Sequence, residues 1–162
     1  MLIRNKTKLR FKRIGAVAVA IVISLSVFYY LHMYYLHYPR EFSGEWQYGY
    51  KEAVRISQEY YNQVDRIVVT KKLGRPYIFF LTYMRYDPKK YWANSDVVTD
   101  EFFFVEVKRF DKYIFTDDVQ KIEGAGKTLY IVPPGALPSG SNSISTVKDL
   151  GRAPVFDIGI KQ

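Results

Sequence analysis

The sequence predicts an α/β fold: one N-terminal transmembrane helix, then a small layered α/β domain with a mixed sheet and a C-terminal hairpin. Three observations carry this. Residues 15–36, GAVAVAIVISLSVFYYLHMYYL, form an apolar run without Asp, Glu, Lys or Arg. Beyond residue 40, short β-branched runs alternate with segments of helical period. The last two such runs flank Gly151-Arg152-Ala153, as the strands of a hairpin do.

At ~1.5 Å rise per residue, the apolar run makes a helix of about 33 Å, which matches a hydrocarbon core of about 30 Å. Residues 1–13 form a basic tail with six cations (Arg4, Lys6, Lys8, Arg10, Lys12 and Arg13) and no acid. The positive-inside rule then places residues 1–13 in the cytoplasm and residues 39–162 outside it. The helix is assigned to residues 14–38, with Pro39 expected to end it. Tyr29, Tyr30, Tyr34, Tyr35 and Tyr38 crowd its far end. They read as an interfacial belt, since each ring prefers an apolar setting and each hydroxyl a wet one. His32 and His37 fall in the same layer, and without a third ligand they predict no metal site. The charged start also suits a signal peptide. However, Ser24-Leu25-Ser26 is followed by bulky VFYYLHMYY, which argues for an uncleaved anchor.

Net charge is +8, but the tail supplies most of it. Residues 41–162 hold 17 Lys and Arg against all 16 Asp and Glu, a balance of +1. Such a domain has no excess charge for binding a phosphate backbone, so no nucleic-acid partner is expected. The aromatic share of 17%, with 15 Tyr and 11 Phe, supports a packed core. Lack of cysteine removes disulfides, zinc ribbons and thiol nucleophiles.

In the domain, residues 46–64 repeat apolar side chains at three- and four-residue spacing and predict an amphipathic helix capped near Ser43 or Gly44. RIVVT, 66–70, predicts a buried strand. After a basic turn, Pro76 opens PYIFFLTYMRY, which is apolar nearly all round and so expected to be buried on several sides. DPKKYW predicts a short helical turn and 94–100 a loop. EFFFVEVKRF fits either helix or strand. KYIFT (112–116) and TLYIV (128–132) predict strands, parallel in the βαβ part of the sheet. ISTVKDL and PVFDIGI predict the antiparallel hairpin, with Phe156, Ile158 and Ile160 on one face.

Few motifs suggest chemistry. Residues 123–128, EGAGKT, lack the early glycine of a phosphate-binding loop, and the Lys-Thr precedes a strand where that motif needs a helix. Asp117-Asp118 and Asp87 read as turn residues. The outer domain has no histidine, which excludes a Ser-His-Asp set there. Lys71, Lys72 and Arg75 stand after a strand and before a helix start, where α/β sheets tend to bind anions. They are the candidate anion or substrate contacts. Trp46, Tyr48, Tyr50, Tyr86 and Trp92 are candidates for stacking on glycan rings or for packing at an interface. No catalytic residue, cofactor or metal ligand is assigned.

Three passages, HYPREFSGEWQYGYKEAV, KKLGRPYIFFLTYMRYDPKKYW and RFDKYIFTD, resemble the C-terminal end of bacterial GT-C type membrane glycosyltransferases. That is the class of the dolichyl-phosphate-mannose protein mannosyltransferases. The resemblance covers residues from about 25 to the end. It implies transfer of a sugar from a polyprenyl-phosphate donor on the outer face of a membrane. The family's catalytic acid lies in an early loop between helices that has no counterpart here, so no catalytic residue carries over. The expected role is therefore accessory: a membrane-anchored extracytoplasmic domain that binds or scaffolds. Its expected partners are the lipid bilayer, and a multi-pass transferase subunit or a polyprenyl-phosphate-linked sugar. Two alternatives are the C-terminal piece or subunit of an active transferase, and a structural envelope protein without a ligand.

Overall fold

The computed structural model describes residues 2–99, 101, 103–122 and 126–162, with side chains for all of these except 2–9 and 120. The chain divides into two compact units, the first ending at Phe42 and the second running from Ser43 to Gln162.

The first unit is helical throughout. α1 runs from Leu2 to His32 without a break, so the basic tail continues the apolar helix instead of forming a separate segment. Among the described residues this is the one helix long and apolar enough to cross a membrane, over Arg10–Glu41. Pro39 does not end it. A π-helical turn, Met33–His37, leads into a last helical turn, α2 (Tyr38–Glu41). The Tyr38 amide donates to the Met33 carbonyl, five residues back. Pro39 falls in the first turn of α2, where a missing N–H costs little.

The π turn brings Nε2 of His32 and Nε2 of His37 to 3.2 Å, while His37 Nδ1 lies 3.3 Å from Glu41 Oε1. Glu41, one helical turn beyond His37, thus sets a carboxylate beside the pair. Among the described residues, no group of three or more such side chains could hold a metal ion. Tyr30, Tyr34 and Tyr38 stack along one side of the helix, with centroids 5.8 and 6.0 Å apart.

The second unit is a seven-stranded mixed sheet with helices on one face. Its helices are α3 (Tyr50–Tyr60), α4 (Pro76–Met84) and α5 (Pro88–Asn94). The strands are β1 (Arg66–Thr70), β2 (Ser95–Thr99), β3 (Val105–Phe110), β4 (Tyr113–Thr116), β5 (Thr128–Val132), β6 (Asn142–Lys148) and β7 (Pro154–Lys161), in the order β2-β3-β4-β1-β5-β7-β6. β1 pairs in parallel with β4 and β5, and every other pairing is antiparallel. The mixed sheet and the β6–β7 hairpin are as expected. β2 is a correction: Ser95–Thr99 was expected to be loop, but it extends beside β3 with a shift of register between Asp96 and Val97.

Side chains alternate across the central strands. Ile67, Val69, Tyr113, Phe115, Leu129, Ile131, Phe156 and Ile158 face the helices and join Ala53, Val54 and Phe80 in the main core. Val68, Tyr130 and Val132 face the other way, beneath Val119 of a 3-10 turn (Val119–Lys121) and Leu137 of the following loop. Asp157 holds that loop by accepting from the Gly135 amide and the Thr146 hydroxyl, both at 2.7 Å. Rings knit the main core. Phe110 lies 5.4 Å from Tyr113 and 5.5 Å from Phe115, and Phe80 lies 5.1 Å from Tyr113. Such tilted pairs contribute roughly 0.5–1.5 kcal/mol each beyond the area they bury.

Two helices depart from expectation. α3 begins at Tyr50, not Trp46, because Gln47 and Gly49 adopt left-handed backbone at φ 57° and 107°. Ser43 does not cap it; its hydroxyl instead accepts from the Leu150 amide. α4 is not buried on several sides, since only Pro76 and Phe80 are buried while Ile78 and Tyr83 are exposed. The helix lies on one face of the sheet, where Tyr77, Phe79, Leu81 and Met84 are partly buried against the core and Ile78 and Tyr83 stay exposed.

Candidate functional site

Two concave regions of the domain collect the side chains singled out in the sequence. One is a cleft of about 620 Å³ lined by Trp46, Tyr48, Gly49, Gln58, Phe79 and Tyr83, with Gln47, Lys51, Glu52, Val54 and Arg55 completing its wall. The two left-handed residues before α3 turn the chain back so that Trp46 and Tyr48 stand beside the helix. Trp46 is 69% exposed, which leaves most of its indole open to solvent. Across the cleft three rings step outward from the core. Tyr50, buried, stacks on Phe79 with centroids 4.6 Å apart, and Phe79 stacks on exposed Tyr83 at 6.3 Å. Phe79 and Tyr83 meet because they are four residues apart on one helix.

The polar rim is preset. The Arg55 guanidinium donates to Glu52 at 2.6 and 3.0 Å and also to Glu59. That hydrogen bond, with the charge of Arg55, holds the Glu52 carboxyl below its ordinary range although burial opposes it. The cleft therefore joins flat apolar faces to amide, ammonium and carboxylate groups. It can take a flat, hydroxylated ligand by stacking and hydrogen bonding.

The second region lies at the carboxyl ends of β1 and β4. These strands are adjacent and parallel, yet the chain leaves them on opposite faces: β1 leads to α4 over the main core, and β4 to the 3-10 turn. A crevice opens at such a switch of direction. It encloses about 320 Å³ between Lys71, Arg75, Tyr77, Glu106, Phe115 and Asp117.

Its charges are already matched. The Lys71 ammonium pairs with Glu106 and with Asp117, the latter at 3.4 Å. Burial would lower the Lys71 pKa, but the hydrogen bond it donates to Glu106 and the charge of Asp117 outweigh it, and the net shift is upward. Arg75 lies over the Phe104 ring at 5.0 Å, while Lys72 is exposed and lines neither region. The structure therefore brings Lys71 and Arg75 together and leaves Lys72 aside. Lys71 is occupied by two carboxylates that sequence reasoning missed, because they lie 35 and 46 positions away.

The five aromatic candidates separate likewise. Trp46 and Tyr48 line the cleft, and Tyr50 backs it from within. Tyr86 packs against Phe110 and directs its hydroxyl at Asp111, 3.3 Å away. Trp92 is 77% exposed on α5 and touches Tyr91 edge-on. Phe79 and Tyr83 were missed because a helix apolar all round reads as core, although their four-residue spacing did mark a shared face.

The turn residues behave as expected. Asp87 caps α5, accepting from the Lys89 amide at 2.8 Å, and Asp118 pairs with Lys121. Of the 123–128 segment, residues 123–125 lie outside the described residues. The Lys127 amide donates to Asp65, and Thr128 opens β5.

Fold and clefts together define a small α/β domain with a mixed seven-stranded sheet, carried by a chain that also holds one helix of membrane-spanning length and composition. Comparison with protein-family models, with curated proteins and with solved structures finds no match.

Proposed function

We propose that this chain is a single-pass membrane protein whose extracytoplasmic domain binds a glycan in the aromatic cleft. It would serve as an accessory to a polyprenyl-phosphate-sugar-dependent glycosyltransferase. The observation that carries the reading is the cleft itself, where Trp46, Tyr48, Phe79 and Tyr83 present ring faces beside Gln58, Lys51 and Glu52. Sugar rings offer apolar C–H faces for stacking and a girdle of hydroxyls for hydrogen bonds, and a cleft of mixed chemistry serves both. Charge asymmetry supports the orientation, with the basic end of α1 in the cytoplasm. The resemblance of the three quoted passages to the C-terminal part of GT-C transferases suggests the class of partner. Within this reading the chain binds and leaves sugar transfer to another subunit.

The test is titration of the full-length protein, held in nanodiscs, with mannose, glucose and N-acetylglucosamine oligosaccharides. Melting temperature and tryptophan fluorescence are both followed. A ligand that binds only the folded state raises the melting temperature. Trp46→Ala should abolish the shift and leave the ligand-free melting temperature unchanged, since the side chain is largely exposed. Saccharide binding that survives in Trp46→Ala, or no shift with any sugar, defeats the proposal.

A further inference from the structure

We propose that His32 and His37 form a two-histidine chelate for a divalent transition-metal ion of the Zn²⁺, Ni²⁺ or Cu²⁺ kind. In a regular α-helix, residues five positions apart stand about 140° apart around the axis, so their side chains diverge. The π turn over Met33–His37 changes this. Its wider winding carries His37 round to the side of His32, and the two Nε2 atoms lie 3.2 Å apart. Single π turns inside α-helices recur at functional sites.

The separation fits a shared ion. Histidine nitrogens bind Zn²⁺ at about 2.0–2.1 Å, so two of them on a tetrahedral ion stand about 3.3–3.4 Å apart. The square-planar geometry that Cu²⁺ favours brings them to about 2.9 Å. The observed 3.2 Å falls between the two. The rings also converge. An ion about 2.05 Å from both nitrogens and in line with both rings puts the ring centroids about 5 Å apart. They are 5.0 Å apart, with their planes tilted by 56°. Rings joined head-on by a hydrogen bond of the same length would have centroids about 5.5 Å apart.

Glu41 supports the pair from outside. When Nε2 of His37 holds a metal, the neutral ring carries its proton on Nδ1, and Glu41 Oε1 lies 3.3 Å from that atom. Such a carboxylate fixes the tautomer and orients the ring without binding the metal. Glu41 stands at the opposite ring nitrogen from the one that faces His32, so the three side chains are not a three-ligand cluster. Both imidazoles are exposed on the helix, and water fills the remaining positions of the ion. Imidazole suits these ions and not Mg²⁺ or Ca²⁺, which take oxygen ligands. The ion bridges the two ends of the π turn and so holds it wound. The inference needs neither the glycan reading nor the membrane anchoring.

These are the chain's only histidines and it has no cysteine, so any imidazole found on an ion comes from this pair. The full-length chain, free of any histidine tag, is held in detergent micelles in a non-coordinating buffer. It is titrated with Cu²⁺ alone and followed by electron paramagnetic resonance. One equivalent should show splitting from two coordinated imidazole nitrogens, and excess Mg²⁺ should leave the spectrum unchanged. His32→Ala and His37→Ala should each leave one such nitrogen and weaken binding at least tenfold, with the helical circular dichroism unaltered because both side chains are exposed. Glu41→Gln should keep both nitrogens and weaken binding about tenfold or more. A parent spectrum with one imidazole nitrogen or none overturns the inference, as does unchanged affinity in either histidine variant. Two nitrogens that persist in His37→Ala come from two copies and overturn the one-chain chelate. Unchanged affinity in Glu41→Gln overturns the positioning role of Glu41.

Discussion

The ring of Tyr50 lies 4° from parallel with that of Phe79, at the point where the domain core meets the floor of the aromatic cleft. Its hydroxyl is buried and finds no hydrogen-bond partner among the described residues. Burial accordingly pushes its pKa well above the usual tyrosine value. An unsatisfied buried hydroxyl costs about 1–3 kcal/mol. Tyr50→Phe keeps the stack and removes the cost, so stability should rise by about 1 kcal/mol. A lower melting temperature in the variant would show that the hydroxyl has a partner after all.

Gly49 turns the chain from the cleft wall into α3 at φ 107°. A Cβ there would lie 3.3 Å from Val147 Cγ1 and 3.4 Å from Val155 Cγ1, both on the β6–β7 hairpin. Gly49→Ala therefore meets backbone strain and crowding together. It should cost about 1–2 kcal/mol and weaken saccharide binding through the displaced Trp46 and Tyr48. An unchanged melting temperature would contradict the left-handed turn.

Alkaline pH should unfold the domain. Burial raises the pKa of Tyr113 to about 12 from an ordinary 10.0, despite an opposing hydrogen bond with Ser57. Burial, followed by the hydrogen bond to Asp111, raises that of Tyr61 further. A raised folded-state pKa means that the folded chain keeps its proton when the unfolded chain has lost it. The stabilisation is whole below pH 10 and is lost as pH rises through 12. Melting temperature followed from pH 8 to 12 should fall only above pH 10, and Tyr113→Phe should shift that fall to higher pH.

Lys71 and Lys72 should behave as opposites. Lys71→Met strands the Glu106 and Asp117 carboxylates and should destabilise by about 1 kcal/mol. Lys72→Ala, at an exposed side chain, should stay within about 0.5 kcal/mol of the parent. Inorganic pyrophosphate should not raise the melting temperature of the parent, because Lys71 is already neutralised. Glu106→Gln releases part of that charge and should make pyrophosphate stabilising. Equal stabilisation of parent and variant would mean that the crevice takes anions as it stands.

Period and composition made the long apolar helix, the parallel centre of the sheet and the closing hairpin legible in advance. β2 was not legible. Ser95–Thr99 is too exposed to carry a buried apolar pattern, and it is extended because β3 offers an edge to pair with. Pro39 misled, because a proline one residue into a new helical turn does not interrupt it. α4 misled in the other direction. Its composition gives the same apolar ring whether one face or all faces are covered.

For the candidate site, Trp46 and Tyr48 could be marked from sequence as rings near a helix start. That Phe79 and Tyr83 stand opposite them depends on α3 and α4 packing side by side on the sheet.

The sequence by itself determined most of the helical and extended segments, where an apolar helix of membrane length lies, and where net charge is concentrated. These are local or summed properties, written in each residue and its near neighbours. Only the tertiary structure decided that Lys71 meets Glu106 and Asp117, and that the rings of α4 line a cleft. Each joins residues far apart along the chain, and the partner of a side chain at that range is fixed by the order and register of the strands.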